Sequence, residues 1–302
     1  MSYARPLEPL VNSIRQIGQV SPVLCRKTRQ GFKLFSGFLR LEAMRKLGKK
    51  SVLALTWKSQ DLSEEQAFRM AFSENVSARG LNLVEQAMAV AALLKLGLSK
   101  KHIANSYFQP AELPASLGVV ESLEALNLLE HDSKKFLVEK AISLRCASEL
   151  ARLSPADRSA LKAILHLHPT ASQFREILEM TDEIGRRDRI NIAEVLQSRE
   201  LKTILKDPKP PAPQKLERFV KALKKSRHPH YARLQARHNR LCRQLAIPAE
   251  LKIIPADFFE EPKYQLNLAL NSQTQAREIF QKLLSAALSP AWKKLFELDD
   301  ED

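Results

Sequence analysis

Residues 31–48, GFKLFSGFLRLEAMRKLG, place a short strand, a glycine and a helix in immediate succession, and no other stretch constrains the fold as much. Residues 32–36 are typical of a strand, and Gly37 predicts a tight turn because glycine adopts positive φ freely. The helix then carries apolar residues on one face, at Leu39, Ala43, Met44 and Leu47. Such a turn aims the free N–H groups of a helix N-terminus at an anion. The same spacing also fits a plain αβ unit that binds nothing, so both interpretations stay open.

The rest of the chain divides by its sequence pattern into segments of different character. Residues 1–80 alternate short helices and strands, a helix follows to Leu96, and the pattern from there to about residue 206 is only helical. Residues 207–213, DPKPPAP, are rich in proline and predict a stiff linker. Residues 214–302 combine helices with two strand-like stretches and predict an αββα unit, ending in an acidic tail. We therefore expect a mainly α protein with small α/β parts, of the α+β class.

The composition excludes several classes of protein. The chain has 302 residues, of which 44% are hydrophobic, so it can bury substantial cores. It has no run of 18 apolar residues and no apolar signal-peptide core, so we expect a cytoplasmic protein without membrane contacts. Cys25, Cys146 and Cys242 lie far apart in the sequence, and the histidines form no HExxH motif. A metal site is therefore not expected.

The positive charge is concentrated in one stretch of the sequence. The formal net charge is +14, and residues 202–243 contain thirteen Lys or Arg against only Asp207 and Glu217. Such an excess predicts an anionic partner, most simply nucleic acid. An ordinary solvated helix face is the alternative interpretation. The candidate DNA-binding residues are Lys221, Lys224, Lys225, Arg227, Arg233, Arg237 and Arg240.

Four motifs in order, SIRQIGQVSPV, FSGFLRLEAMRKLG, ENVSARGLNLVEQA and GLSKKHIA, resemble the ParB family of chromosome and plasmid partition proteins, including its Noc relatives. The resemblance covers residues 7–107 well. Near the other end, RLCRQLAIPAELKI and YQLNLALNSQTQAREIFQKL are similar to the family's dimerisation domain. The resemblance implies a ParB/sulfiredoxin-like N-terminal domain (residues 1–95), a helix-turn-helix-like middle domain (96–206), the linker (207–213) and a dimerisation domain (214–302). It also implies a nucleoid-associated homodimer that binds DNA, with a partition ATPase as a candidate partner.

In the ParB family the N-terminal domain binds CTP through a box that reads glycine, glutamate, arginine, arginine, with a further arginine two residues on. Gly37 and Arg40 keep the first and last positions of the box, whereas Phe38, Leu39 and Glu42 depart from it. Because Phe38 replaces a carboxylate and two cations are missing, we expect no catalytic residue and negligible CTP hydrolysis.

A second nucleotide motif of the family is better preserved. Glu74 and Asn75 stand where the family has them, and Arg79 lies one place after the expected arginine. The resemblance thus implies a degenerate nucleotide site, with CTP and Mg²⁺ as candidate ligands, formed by Gly37, Arg40, Glu74, Asn75 and Arg79. Glu74 and Asn75 also fit the alternative of helix-end caps that bind no ligand.

The resemblance places a helix-turn-helix at residues 99–107 and 116–129. Base readout requires donors and cations near the start of the second helix, but this helix offers Glu121 and Glu124 and no cation. We therefore expect DNA binding that depends mainly on charge and only weakly on sequence. Two alternatives stay open, namely a CTP-dependent switch or enzyme on the same fold and a protein-interaction adaptor that binds neither ligand.

Overall fold

The computed structural model describes residues 2–245, 247–248, 250–259 and 261–298. These residues form two compact units, Met1–Arg175 and Glu176–Asp302, each mostly helical with one small sheet. This is the predicted α+β class. The three-domain division at residues 95, 206 and 213 stays a prediction. Across the described ranges, no helix has the length and apolar character needed to cross a membrane.

The first unit begins with two helices packed against each other and a three-stranded sheet. Strand β1 pairs antiparallel with β2 and parallel with β3, which gives the strand order β2-β1-β3. The helices bury Val11, Ile14, Ala43 and Met44 between them. The elements are α1 (Glu8–Ile17), β1 (Val23–Thr28), β2 (Gly31–Ser36), α2 (Phe38–Lys46) and β3 (Ala54–Lys58). The predicted strand, glycine turn and helix in residues 31–48 are therefore confirmed.

The remainder of the first unit is helical. Ser63 and Asn82 start two of its helices as capping boxes, each closed by the side chain three residues later. The buried face of α6, which packs on α4 and α8, consists of Val120, Leu123 and Leu126. The helices are α3 (Glu64–Arg79), α4 (Leu83–Lys95), α5 (Lys100–Tyr107), α6 (Leu117–Leu126), α7 (His131–Glu139), α8 (Leu144–Arg152) and α9 (Pro155–Leu165).

The second unit contains further helices and a two-stranded antiparallel sheet. Its helices are α10 (Ala171–Asp188, which begins in the first unit), α11 (Ile192–Leu196), α12 (Arg199–Lys206), α13 (Ala212–Arg227), α14 (Pro229–Gln244), α15 (Gln273–Ala287) and α16 (Ala291–Phe296). Strand β4 (Leu251–Pro255) pairs with β5 (Tyr264–Leu268), and Ile253 lies opposite Leu266. The sequence pattern predicts a helix over residues 231–246, and its last position, Ala246, lies outside the described residues, as does the acidic tail 299–302.

The proline-rich segment 207–213 connects two helices that pack against each other. Helix α13 begins at Ala212, within this segment, and contacts α12. The Lys215 ammonium donates to the Leu205 carbonyl at 3.4 Å, which ties the first turn of α13 to the end of α12. Prolines fit the first turn of a helix because the N–H groups there have no intrahelical acceptor. The segment is thus a short turn inside the second unit, where the sequence predicts an extended linker.

Candidate nucleotide pocket and nucleic-acid interface

Gly37 joins β2 to α2 with a φ of 93°, in the left-handed region that favours glycine. A Cβ atom at this position would lie 2.8 Å from Cγ1 of Val23, so another residue would have to displace β1. Since Gly37 carries no side chain, it provides no side-chain cap for the first N–H groups of α2. The predicted turn is therefore present, and the N-terminus of α2 is available to an anion.

A cavity of about 360 Å³ adjoins this turn. Leu10, Leu39 and Ala78 contribute apolar side chains to its walls. The structure brings together every residue of the predicted nucleotide site, because the cavity is also lined by Gly37, Arg40, Glu74, Asn75 and Arg79. The volume lies at the lower end of the range for small-molecule sites.

Arg40 is held inside the cavity by protein acceptors. Its Nη2 donates to Oε1 of Glu74 at 2.5 Å, and its Nη1 donates to the Pro22 carbonyl at 2.7 Å. The second carboxylate oxygen of Glu74 accepts a hydrogen bond from the Ser36 hydroxyl. Arg40 is thus neutralised by a carboxylate, and a phosphate group would have to compete with Glu74 for it.

Arg79 and Asn75 are also engaged within the protein. Arg79 Nη1 lies 2.9 Å from both carboxylate oxygens of Glu85, and its Nη2 donates to Oδ1 of Asn75 at 2.8 Å. The Asn75 amide donates to the Ala71 carbonyl at 2.6 Å. The two residues line the cavity, but their polar groups already have partners inside α3 and at the start of α4.

Glu85 organises this corner of the first unit, although the sequence shows it only as the closing residue of a capping box. Its side chain is completely buried and accepts hydrogen bonds from Arg5 at 2.6 Å and from the Asn82 N–H at 3.0 Å. The Tyr3 N–H donates to it as well, at 3.2 Å. Burial acts to raise the pKa of Glu85, but the hydrogen bonds from Arg5 and Arg79 outweigh it and the pKa is lowered.

In the second unit, three of the predicted DNA-binding cations form ion pairs with glutamates. Lys224 lies 2.8 Å from a carboxylate oxygen of Glu176 and Lys225 lies 3.9 Å from one of Glu200. Arg227 pairs with Glu183. Helix α13 therefore places much of its charge against the acidic residues of α10 and α12. The sequence pattern does not reveal this compensation, because the glutamates lie far away along the chain.

The other predicted cations present more of their charge to solvent. Lys221 on α13 and Arg233 and Arg240 on α14 are exposed and form no ion pair with any described residue. Arg237 is half-buried and donates to the Leu298 carbonyl at 2.9 Å. The neighbouring face of α14 buries Leu234, His238 and Leu241. Exposed arginines beside a buried stripe have the arrangement needed to track a phosphate backbone.

Helix α6, the predicted recognition helix, has an acidic and apolar surface. Leu117, in its first turn, is 52% exposed, and Glu121 is exposed one turn later. Glu124 pairs with Lys100 of α5 at 2.7 Å. The helix contains no cation that could contact a phosphate or a guanine.

The second unit also exposes an apolar surface. Phe280, Leu284 and Leu288 follow one another along α15 at spacings of four residues and are 55%, 75% and 88% exposed. Leu266 of β5 and Leu270 are also exposed, at 53% and 43%. Apolar side chains grouped in this way are typical of a surface that another protein covers.

Comparison with known proteins finds a family match for the N-terminal part of the sequence and several relatives that match more of it. The family model of the ParB N-terminal domain matches residues 3–76. Spo0J, a chromosome-partitioning protein of Thermus thermophilus, is 31% identical over 176 residues, which cover 57% of this chain and 61% of that protein. The nucleoid occlusion protein of Halalkalibacterium halodurans is 26% identical over 180 residues, covering 57% and 60%.

Two further matches are shorter or more distant. A probable plasmid-partitioning protein ParB of Thermus thermophilus is 37% identical over 94 residues, 31% of each chain. A crystal structure of truncated ParB from Caulobacter crescentus with the parS site aligns with 59% of this chain and 89% of that chain, with 20% identity and a TM-score of 0.33. The chain thus spans at most about three fifths of the curated relatives described. The chain thus matches the ParB N-terminal domain over residues 3–76 and is similar to proteins of chromosome partition and nucleoid occlusion.

Proposed function

We propose that this protein is a DNA-binding protein of DNA partition or nucleoid organisation that acts as a homodimer and holds DNA mainly through phosphate contacts. The observation that carries the proposal is the exposure of three cations, Lys221, Arg233 and Arg240, in the most basic part of the chain. Phosphate contacts provide affinity without reading the base sequence.

Two further features support a binding mode of low sequence selectivity. Helix α6 presents Glu121 and exposed Leu117 where a recognition helix would meet the bases, and a carboxylate there repels phosphates. By contrast, most of the positive excess lies in residues 202–243. The partition and nucleoid occlusion proteins among the relatives support the same functional class.

The homodimer is proposed from the apolar surface of the second unit. The two-stranded sheet β4–β5 is too small to be stable by itself, and β5 exposes Leu266. Phe280, Leu284 and Leu288 add an exposed apolar stripe on α15. A second copy of the chain would bury both features and would double the number of phosphate contacts for each complex.

Nucleotide binding at the Gly37 cavity is a second candidate function. The glycine turn, the uncapped N-terminus of α2 and Arg40 favour a phosphate there. The ion pair between Arg40 and Glu74 opposes it, and Phe38 stands where the family has a carboxylate. We therefore propose at most weak binding of CTP, with or without Mg²⁺, and negligible hydrolysis.

The test is fluorescence anisotropy of the full chain with labelled duplexes of unrelated sequence, at salt concentrations from about 50 to 200 mM and with or without CTP and Mg²⁺. We expect similar affinities for all duplexes and a steep decrease of affinity with salt. Binding to one duplex only would contradict the phosphate-based proposal. Salt dependence that appears only with CTP would favour the nucleotide-dependent switch.

A further inference from the structure

A second cavity, of about 420 Å³, lies in the first unit between the sheet and helices α3 and α4. Three phenylalanines, Phe35, Phe38 and Phe68, form much of its apolar wall, together with Ala71 of α3 and Ala92 of α4. Protein cores contain few voids much larger than a water molecule, whereas small-molecule sites have this volume. The cavity therefore has the size and lining of a ligand site.

Local geometry keeps the cavity open. Ala71 and Ala92 leave space where larger side chains would fill the gap between the helices. Phe38 follows directly on Gly37, whose close approach to Val23 fixes the start of α2. The Phe38 ring is nevertheless 49% exposed at the cavity wall. A ligand with an apolar body would cover this ring, and the burial of the ring would favour binding.

Charged groups at the cavity favour an anion. Arg26, Lys33 and Lys95 contribute cations against the single carboxylate of Glu64, whose Oε1 lies 2.7 Å from the Lys33 ammonium and 3.6 Å from Arg26 Nη1. Arg26 donates through Nη2 to the Ser59 carbonyl at 3.0 Å, while its buried Nε has no acceptor among the residues that the structure describes. Three cations against one carboxylate leave the cavity lining with a net charge of +2, which attracts an anion.

We propose that this cavity binds a small organic anion with a flat apolar body and one carboxylate or sulfonate group. The apolar body lies against Phe35, Phe38 and Phe68, and the anionic group lies near Arg26 and Lys33. A triphosphate fits this lining poorly because most of the wall is apolar. The site is distinct from the Gly37 cavity, with which it shares Phe38 as a common wall residue.

The experiment measures fluorescence of 8-anilinonaphthalene-1-sulfonate, an apolar aromatic anion, with the full chain. Ala92→Leu fills part of the cavity, and Ala236→Leu makes the same change at an exposed position of α14. We expect Ala92→Leu to weaken dye binding about tenfold or more, and Ala236→Leu to leave it unchanged. Lys95→Glu, at an exposed position of the cavity rim, should weaken binding by roughly tenfold because it replaces attraction with repulsion.

A competition experiment then distinguishes a site that prefers anions from a site that binds any apolar compound. 2-Naphthoate should displace the dye at least tenfold more effectively than 2-naphthylmethanol, which has the same ring system and no charge. Equal displacement by the two compounds would overturn the proposal, as would dye binding that is the same in Ala92→Leu and wild type. If Ala92→Leu shows no cooperative thermal transition, that variant is not folded and the test rests on Lys95→Glu. An unchanged dye affinity in Lys95→Glu would then overturn the proposal.

Discussion

Arg40 and Glu74 form an ion pair across the predicted phosphate pocket, with 2.5 Å between Nη2 and Oε1. Both side chains are partly shielded from water, at 18% and 34% exposure, so their attraction is screened less than that of a surface pair. The cation that the family resemblance assigns to a phosphate is thus already bound to a carboxylate. The affinity of the pocket for CTP depends on the strength of this pair.

Replacement of Glu74 by Gln should raise the affinity for CTP by about tenfold, because it frees Arg40 and removes a negative charge from the pocket. Isothermal titration calorimetry measures the effect directly. Glu65→Gln makes the same charge change on α3 outside the cavity and should leave the affinity unaltered. Arg40→Ala should abolish binding. A weaker affinity for CTP in Glu74→Gln would instead indicate that Glu74 holds Mg²⁺ beside the nucleotide.

Replacement of Glu85 by Gln should destabilise the protein by about 3 kcal/mol, because it leaves Arg5 and Arg79 without their shared carboxylate. The measurement is urea unfolding followed by circular dichroism at neutral pH. Glu139→Gln removes an exposed carboxylate from α7 and should cost less than about 1 kcal/mol. Equal stabilities of the two variants would contradict the role assigned to Glu85.

The Glu85 carboxylate should also make the stability of the folded protein depend on pH. The pKa of Glu85 is lowered from its ordinary value of 4.5, so its contribution is fully present above that pH and is lost as the pH falls through the lowered value. The difference in stability between wild type and Glu85→Gln should therefore be constant near neutrality and should shrink below about pH 4.5. Thermal melts between about pH 3 and pH 7 test this. A difference that grows on acidification would contradict it.

Two triple variants compare how much the exposed cations and the ion-paired cations contribute to DNA binding. Replacement of Lys221, Arg233 and Arg240 by Ala should weaken binding to all duplexes and reduce the log–log salt slope by about 0.9 for each phosphate that the variant no longer neutralises. Replacement of Lys224, Lys225 and Arg227 removes the same number of charges, but those charges face Glu176, Glu200 and Glu183. Anisotropy titrations should show a smaller change in slope for the second variant. The reverse order would place the phosphate contacts on the ion-paired cations Lys224, Lys225 and Arg227.

The proposed dimer surface is tested by a single charge on α15. Leu284 is 75% exposed, and Leu284→Glu should give a monomer at tens of micromolar because it would bury a carboxylate between the two copies. Lys282→Glu places a carboxylate on the polar side of the same helix and should preserve the dimer. Sedimentation velocity measures both species. A monomeric wild type at the same concentration would refute the proposal.

Selection from random duplexes should return no strong motif. The reason is the surface of α6, where Glu121 is exposed and no cation is present. An enriched palindrome that disappears on replacement of Ser116 and Ser122 would show that this helix reads bases. Arg145→Ala, at an exposed position of α8, serves as a control for a general decrease of affinity.

The sequence predicts features whose causes are local. Gly37 predicts the turn before α2, and the spacing of Ser63 with Gln66 and of Asn82 with Glu85 predicts the starts of α3 and α4. In each case the residues that determine the geometry are at most a few positions apart. The local sequence is therefore enough to predict the turn and the two helix starts.

Such local patterns do not predict which partners the charged side chains pair with. Nothing near Lys224 or Arg227 in the sequence indicates that Glu176 and Glu183 would lie beside them, since those carboxylates come from α10. The same applies to Arg79, whose guanidinium turns from the predicted pocket to Glu85. Pairing between distant segments depends on how the helices pack, and packing is a property of the whole unit rather than of one stretch.

The contact between Arg5 and Glu85 has a consequence for the order of events during synthesis. The two residues are 80 positions apart, so Arg5 is made well before the carboxylate that holds it. At ordinary bacterial and eukaryotic elongation rates the delay is roughly 4 to 16 s. During this time Arg5 has no carboxylate of Glu85 to bind, and the pair can form only after the start of α4 has been translated. The segment around Arg5 therefore becomes fixed only after α1, α2 and α3 have been translated, although its own residues are made before those helices.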